Sequence, residues 1–150
     1  MASKDTPKTV VLSSCEGIMR EAVAAVAIRP GMIVKLNNAN AVIPDNVAGQ
    51  EAQPAVAIEN DFVGKGIDDL YAIGERVRYR VLPDGAKFYG IIAASQNIAI
   101  GDVLSSNGDG TLKEAAVTDQ VVGYARSAVV TGVGVTARCI VEVGYARGIA

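Results

Sequence analysis

Apolar and polar residues alternate along much of this chain at a period of two. Arg76-Val77-Arg78-Tyr79-Arg80-Val81 shows the pattern most strictly. A strand with that period places three guanidinium groups on one face and Val77, Tyr79 and Val81 on the other. Shorter apolar runs occur at Thr9–Leu12, Met32–Leu36, Ala41–Ile43, Pro54–Ile58, Phe88–Ala93, Ile100–Leu104, Thr111–Lys113, Val121–Ala125 and Arg138–Val143. Turn-forming residues separate them, notably Pro30-Gly31, Asn37 to Asn40, Pro83-Asp84-Gly85-Ala86 and Asn107-Gly108-Asp109-Gly110. Strands recurring every ~8–12 residues between turns predict a mainly β fold, a small barrel or sandwich. Met32–Leu36 is expected to pair with Ala41–Ile43. Phe88–Ala93 is expected to fold back on Arg76–Val81 across the Pro-Asp-Gly turn.

The stretch from Ser13 to Ile28 is mixed. Ser13 and Glu16 have capping-box spacing, and Arg20-Glu21-Ala22 favours a helix. Val23, Val26 and Ile28 are β-branched and favour a strand. A strand is expected, with one short helix as the alternative. Residues 1–8 are polar and read as a flexible N-terminal arm, and residues 9–150 as one β-rich domain. A weak internal repeat runs through that domain (27–58 and 98–125). Ala27 to Val34 resembles Ile98 to Leu104, and each copy continues through a turn, a return strand and a small-residue strand.

Composition narrows the function. Half of the 150 residues are apolar, mostly Ala, Val and Ile, with two Phe, five Tyr and no Trp. Such side chains suit closely packed strands. Sixteen Gly against five Pro fit many tight turns. The formal net charge of −2 lacks the basic excess of a nucleic-acid-binding domain. No polybasic run addresses an anionic membrane, and no apolar run reaches the ~20 residues of a membrane span. No secretory leader is visible at the N-terminus, so synthesis in a host or cell cytoplasm is expected.

The chain has no histidine, which removes the commonest general base and excludes Ser-His-Asp and Cys-His arrangements. Cys15 and Cys139 are too far apart in sequence, and too few, for a zinc site. They read as two buried thiols, with a single bridge between them as the alternative. Gly132-Val133-Gly134-Val135-Thr136-Ala137 matches the letter of a dinucleotide fingerprint, but no helix pattern follows, so it reads as a turn or bulge. Lys65-Gly66 lacks the rest of a phosphate loop. Asn107 to Gly110 lacks the flanking acids of a calcium loop, because Ser105 and Ala116 stand where carboxylates are needed. Asp68-Asp69 reads as a solvated pair. No catalytic residue, metal or cofactor is expected. The candidate interface comprises Arg76, Arg78 and Arg80, whose planar guanidinium groups suit carboxylate partners, together with Lys4, Asp5 and Lys8 of the arm.

Four stretches, Ala27–Leu36, Gly90–Ala94, Ile98–Glu114 and Val121–Ala125, carry a resemblance. Their shared pattern is a small-residue strand, Ile-x-x-Gly-Asp-x-Leu, a Gly-rich turn and Val-Gly-x-Ala. In these the sequence resembles the head decoration, or capsid cement, proteins of tailed bacteriophages. The resemblance implies a β-rich subunit, usually a homotrimer, on the outside of a phage head where it binds the major capsid protein. It implies a virion location, no catalysis, no cofactor, and no nucleic-acid or membrane partner. The competing reading from the residues is a small β-barrel module that uses the arginine face to bind a polyanionic ligand or nucleic acid. An enzyme built on Cys15 would need a neighbouring base that the sequence does not supply.

Overall fold

The computed structural model describes residues 7–12, 17–50 and 53–144. They form a mainly β fold in which the one helical element is a 3-10 turn at Asp61–Val63. The strands are β1 (Ile18–Val23), β2 (Val34–Leu36), β3 (Val42–Pro44), β4 (Ala55–Ala57), β5 (Arg76–Val81), β6 (Lys87–Ile92), β7 (Asn97–Ile98), β8 (Val103–Ser106), β9 (Leu112–Glu114), β10 (Gly123–Ala125), β11 (Val129–Val130) and β12 (Ala137–Val143). The mixed stretch resolves as strand over β1, where Val23 and its partners in β5 reward an extended backbone. The capping pair Ser13 and Glu16 lies outside the described residues.

In the C-terminal half, β10-β12-β6-β9-β8 close into a barrel. β6 and β12 form its longest antiparallel ladder, from Ala137 opposite Ile92 to Glu142 opposite Lys87. The N-terminal half carries the sheet β1-β5-β4 and the hairpin β2-β3. Single bridges join these two pieces at both edges, Ala24 to Val42 in parallel and Ile33 to Val56 antiparallel. The five N-terminal strands therefore also run in a ring.

The two rings use the same hydrogen bonds. Gly31 N–H donates to Ala57 C=O at 2.8 Å, and Gly101 N–H to Ala125 C=O at 2.8 Å. Asn37 N–H donates to Ala41 C=O, and Asn107 N–H to Thr111 C=O, both at 2.9 Å. Asp45 N–H bonds Ile33 C=O as Ala115 N–H bonds Val103 C=O. Ala25 N–H bonds Val42 C=O as Ala93 N–H bonds Leu112 C=O. Gly31 and Gly101 share a left-handed φ, 99° and 95°, which a side chain disfavours and which each turn requires.

Two apolar clusters fill the molecule. One holds Ile28, Val34, Val42, Ala57, Tyr71, Val77 and Tyr79 of the first ring. The other holds Phe88, Ile92, Ile98, Leu104, Leu112, Cys139 and Val141 of the second, and also Ile33, Val56 and Ile58. Those last three point out of the first ring into the second core, so the rings interlock. Each fully buried Val, Leu, Ile or Phe side chain contributes about 1.5–3 kcal/mol, and the smallness of Ala and Val lets the two cores approach.

One expected pairing does not form. β6 does not fold back on β5; β5 pairs with β1 and β4, whereas β6 pairs with β12 and touches β9. The Pro83-Asp84-Gly85 turn instead carries the chain from one core to the other. Leu82 N–H is held by Pro54 C=O on one side, and Gly85 N–H by Val143 C=O on the other. Val81 packs on the first cluster and Phe88 lies in the second, so hydrophobic burial overrides the local hairpin signal. The Thr9–Leu12 run forms no named strand; Val11 makes an isolated antiparallel bridge to Phe88. Cys139 is a free, buried thiol, and Cys15 lies outside the described residues.

Candidate functional site

β5 is a strand of the first ring, between β1 and β4, and its alternation survives folding. Val77 and Tyr79 are buried, Arg76 is exposed, and Arg78 and Arg80 are half-buried. The three arginines share one face, but each meets an acidic neighbourhood. Arg76 lies 4.0 Å from Glu21 on the adjacent strand. Arg78 Nη1 donates to Asp61 Oδ1 at 2.6 Å, and its guanidinium stacks on the Phe62 ring at 4.0 Å from the centroid. Only 12% of the Arg78 side chain is accessible. Arg78 and Arg80, with Glu59, Asp61, Thr9, Val11, Met19 and Ile58, line an open cleft of about 230 Å³. Glu59 in that cleft accepts from Thr9 Oγ1 and, at 3.0 Å, from Val10 N–H. The carboxylate thereby ties residues 9–10 to the first ring. Nε of Arg78 and of Arg80 is buried and makes no hydrogen bond.

The Asp61–Val63 turn that supplies Asp61 and Phe62 is closed by Gly64 in a left-handed conformation. It presents Phe62, 79% exposed, and Val63 to solvent. An exposed aromatic clamped under a guanidinium is held in place by about 0.5–1 kcal/mol of cation–π attraction. Such an anchor is the kind of side chain that carries binding energy at interfaces.

A second cleft of about 290 Å³ lies between the halves, lined by Arg29, Ile67, Asp68, Tyr89, Ile91 and Arg138 among others. Arg138 Nη2 donates to Ile67 C=O at 2.7 Å and lies 3.5 Å from Asp68 Oδ1. Arg29 Nη2 is 3.8 Å from the same oxygen. Burial pushes the Arg138 guanidinium below its ordinary pKa, and the Asp68 charge opposes that shift. Asp68 is largely solvated, as expected, with 75% of its side chain exposed, and it is also the shared partner of Arg29 and Arg138, which lie far apart in sequence.

Behind the hairpins sits a buried polar seam. Asp119 accepts from Ala116 N–H at 2.9 Å and Ser105 Oγ at 3.0 Å, with Lys113 Nζ at 3.4 Å. The hydrogen bond from Ala116, helped by Ser105 and Lys113, holds its carboxyl below the ordinary value against the opposing effect of burial. Asp45 accepts from Ser106 Oγ and lies 4.0 Å from Lys35. These bonds are structural: those of Asp119 brace the second ring from within, and the bond from Ser106 to Asp45 fastens the first ring to the second.

Of the other expected interface residues, Lys8 is exposed. Lys4 and Asp5 lie outside the described residues. Phe62, Glu59, Arg29 and Arg138 were not signalled; only the exposed apolar letter of Phe62 in a polar loop could have drawn attention. Among the described residues, no group of three or more Cys, Asp or Glu is placed to hold a metal. This surface combines guanidinium groups, the carboxylates paired with them and an exposed aromatic ring.

The architecture defines a class first: a mainly β protein whose C-terminal half is a closed five-stranded barrel. The same fold occurs in the crystal structure of the head fiber gp8.5 N base in bacteriophage phi29. The likeness spans 86% of this chain and 95% of that chain, with a TM-score of 0.57 and 13% sequence identity. No protein-family profile matches the sequence, and no curated protein does.

Proposed function

We propose that this chain is a structural protein of a tailed-phage head, bound to the outside of the shell as a decoration or fibre-base subunit, with no catalytic role. The observation that carries the reading is the fold shared with the phi29 head fiber base over nearly the whole of both chains. The surface supports it. Arg78 and Phe62 form a pre-organised anchor, and the arginine face already carries its own acids, Glu21 and Asp61. That pairing leaves little free positive charge for a polyanion and favours a protein partner with mixed charge. The partner is the major capsid protein, the location is the virion exterior, and the assembly in solution is a homotrimer. Lys4, Asp5 and Lys8 extend the contact from the N-terminal side. A shell-bound subunit of this kind stabilises the head by mass action, because it binds the assembled lattice and not the free shell subunits. Many copies multiply the effect.

The test is co-sedimentation of the purified protein with purified heads of its phage stripped of decoration, followed by imaging of the heads. Saturable binding on the outer surface is expected, and heads with bound protein should withstand a higher temperature before releasing DNA. Light scattering should give about three times the 15.5 kDa chain mass. A protein that ignores the heads at micromolar concentration overturns the reading.

A further inference from the structure

The two rings share a hydrogen-bond pattern, yet among the described residues one edge is covered in the second ring and uncovered in the first. In the second ring, residues 10–12 lie along the outer edge of β6. Tyr89 N–H donates to Val10 C=O at 2.7 Å, Leu12 N–H donates to Lys87 C=O at 2.9 Å, and Val11 stands opposite Phe88. In the first ring β1 holds the place of β6. Ala24 to Val42 repeats the parallel contact of Ile92 to Leu112, and that correspondence sets Met19, Arg20 and Glu21 where Lys87, Phe88 and Tyr89 stand. No described residue covers this edge, and Ile18, Met19 and Val23 are 60%, 36% and 44% exposed.

The edge is in the right phase to bond. Ala24 N–H donates to Glu75 C=O at 2.8 Å, and Ala25 N–H turns the other way to Val42 C=O at 3.0 Å. Even-numbered residues of β1 therefore face β5. The N–H and C=O groups of Met19, Glu21 and Val23 face outward, as those of Lys87 and Tyr89 do toward residues 10–12. An unpaired edge of this kind is a template for a further strand.

A second copy of β1 is a poor occupant. Antiparallel pairing in this phase sets each residue opposite one of the same parity. The central registers then place Arg20 opposite Arg20, or Glu21 opposite Glu21, and like charges directly opposed destabilise a pair. We infer that the β1 edge accepts an extended segment of a shell subunit, added antiparallel as a sixth strand. The segment carries an acidic residue opposite Arg20 and small or β-branched residues beside it, as Val10-Val11-Leu12 does for β6. Backbone bonds supply affinity in this mode, and alternate side chains supply specificity. The inference rests on the head-binding reading and names the edge and the chemistry of its partner.

Glu21→Pro tests it. Proline removes the outward N–H without touching the β5 ladder, and the residue before it is already extended. Binding of Glu21→Pro to stripped heads should weaken by about tenfold or more, the loss of one backbone bond and the approach it allows. Glu21→Gln, which removes the charge and keeps the N–H, is the reference against which the effect of the proline is read. Should the proline variant not fold, Met19→Lys reads the same edge, and slowed amide exchange at Glu21 and Val23 in the unmodified protein on heads is expected without any substitution. If the parent protein binds heads but Glu21→Pro binds equally, or exchange at these amides is unchanged, the edge is not the contact and head binding stands. If Glu21→Pro instead dissociates the protein's own oligomer, a second copy occupies the edge and the inference is overturned. If the parent fails to bind heads, the head-binding reading falls and this inference with it.

Discussion

The N-terminal and C-terminal rings run the same backbone course with different side chains at equivalent places, and the difference sets what each ring needs. β6 carries Phe88, fully buried beneath Val10 and Val11, with Gly90 beside it. A Cβ on Gly90 would lie 2.8 Å from the Phe88 ring, so the bulky residue requires the small one. β1 carries Arg20 and Ala22 at those places, and Arg20 is exposed. The second ring is thus closed and capped from within the chain. The first is closed by single bridges, and no described residue caps its β1 edge. One backbone plan can serve as core or as contact surface depending on a few apolar positions.

The largest expected break in this comparison comes from Phe88. Phe88→Ala should cost about 3–5 kcal/mol, the range for emptying a buried aromatic site. Arg20→Ala at the corresponding place should change stability by less than about 0.5 kcal/mol. Denaturant melts of the two variants check this, and equal effects would mean that the rings are not built as described. Gly31→Ala and Gly101→Ala give the next contrast. Both turns hold a left-handed glycine, so each variant carries about 1–2 kcal/mol of backbone strain. At Gly31 a Cβ would also meet Arg138 Nη1 at 2.5 Å and Tyr89 O at 2.9 Å, whereas at Gly101 nothing lies within 4 Å. Gly31→Ala should therefore lower the melting temperature clearly more than Gly101→Ala.

Asp119 probes the polar bracing inside the second ring. Asp119→Ala leaves Ser105 and Ala116 N–H without their acceptor and should cost about 1–3 kcal/mol. Its folded pKa lies below the ordinary 3.8, so its stabilisation is complete above that value. The stabilisation is lost as the pH falls through the lower folded value. A pH series of melts should show the parent losing this increment in acid and Asp119→Ala lacking it. The smallest effect is expected at Arg78 and Asp61. Asp61→Asn should change stability by less than about 1 kcal/mol, because the carboxylate is largely solvated. Loss of head binding without loss of stability in Arg78→Ala would place the anchor in the interface.

Much of the strand inventory was legible because period-two alternation and Gly-rich turns are local signals. β5, the hairpins β2-β3 and β8-β9, and the last strands lie where the pattern puts them. β7 and β11 have two residues each, too short for any period to register. The pairing of β6 was misread because Pro83-Asp84-Gly85 looks the same in a hairpin and in a crossover. Only the burial of Val81 and Phe88 in different cores separates the two cases. The arginine face of β5 was legible for the same reason as the strand. Its partners were not, since Asp61 and Phe62 come from a loop 17 and 16 positions earlier in the chain, and sequence spacing does not predict contact across a loop.

The sequence by itself determined that this is a β protein of small side chains, that it has no histidine chemistry, and that three arginines share one strand face. Those are properties of composition and of a two-residue period, which need no knowledge of distant neighbours. The tertiary structure decided which strands meet, that residues 10–12 roof Phe88 while no described residue roofs Arg20, and that Arg29, Asp68 and Arg138 converge. Such choices depend on which apolar surfaces exclude water together, and that is fixed only when the whole chain has closed around its two cores.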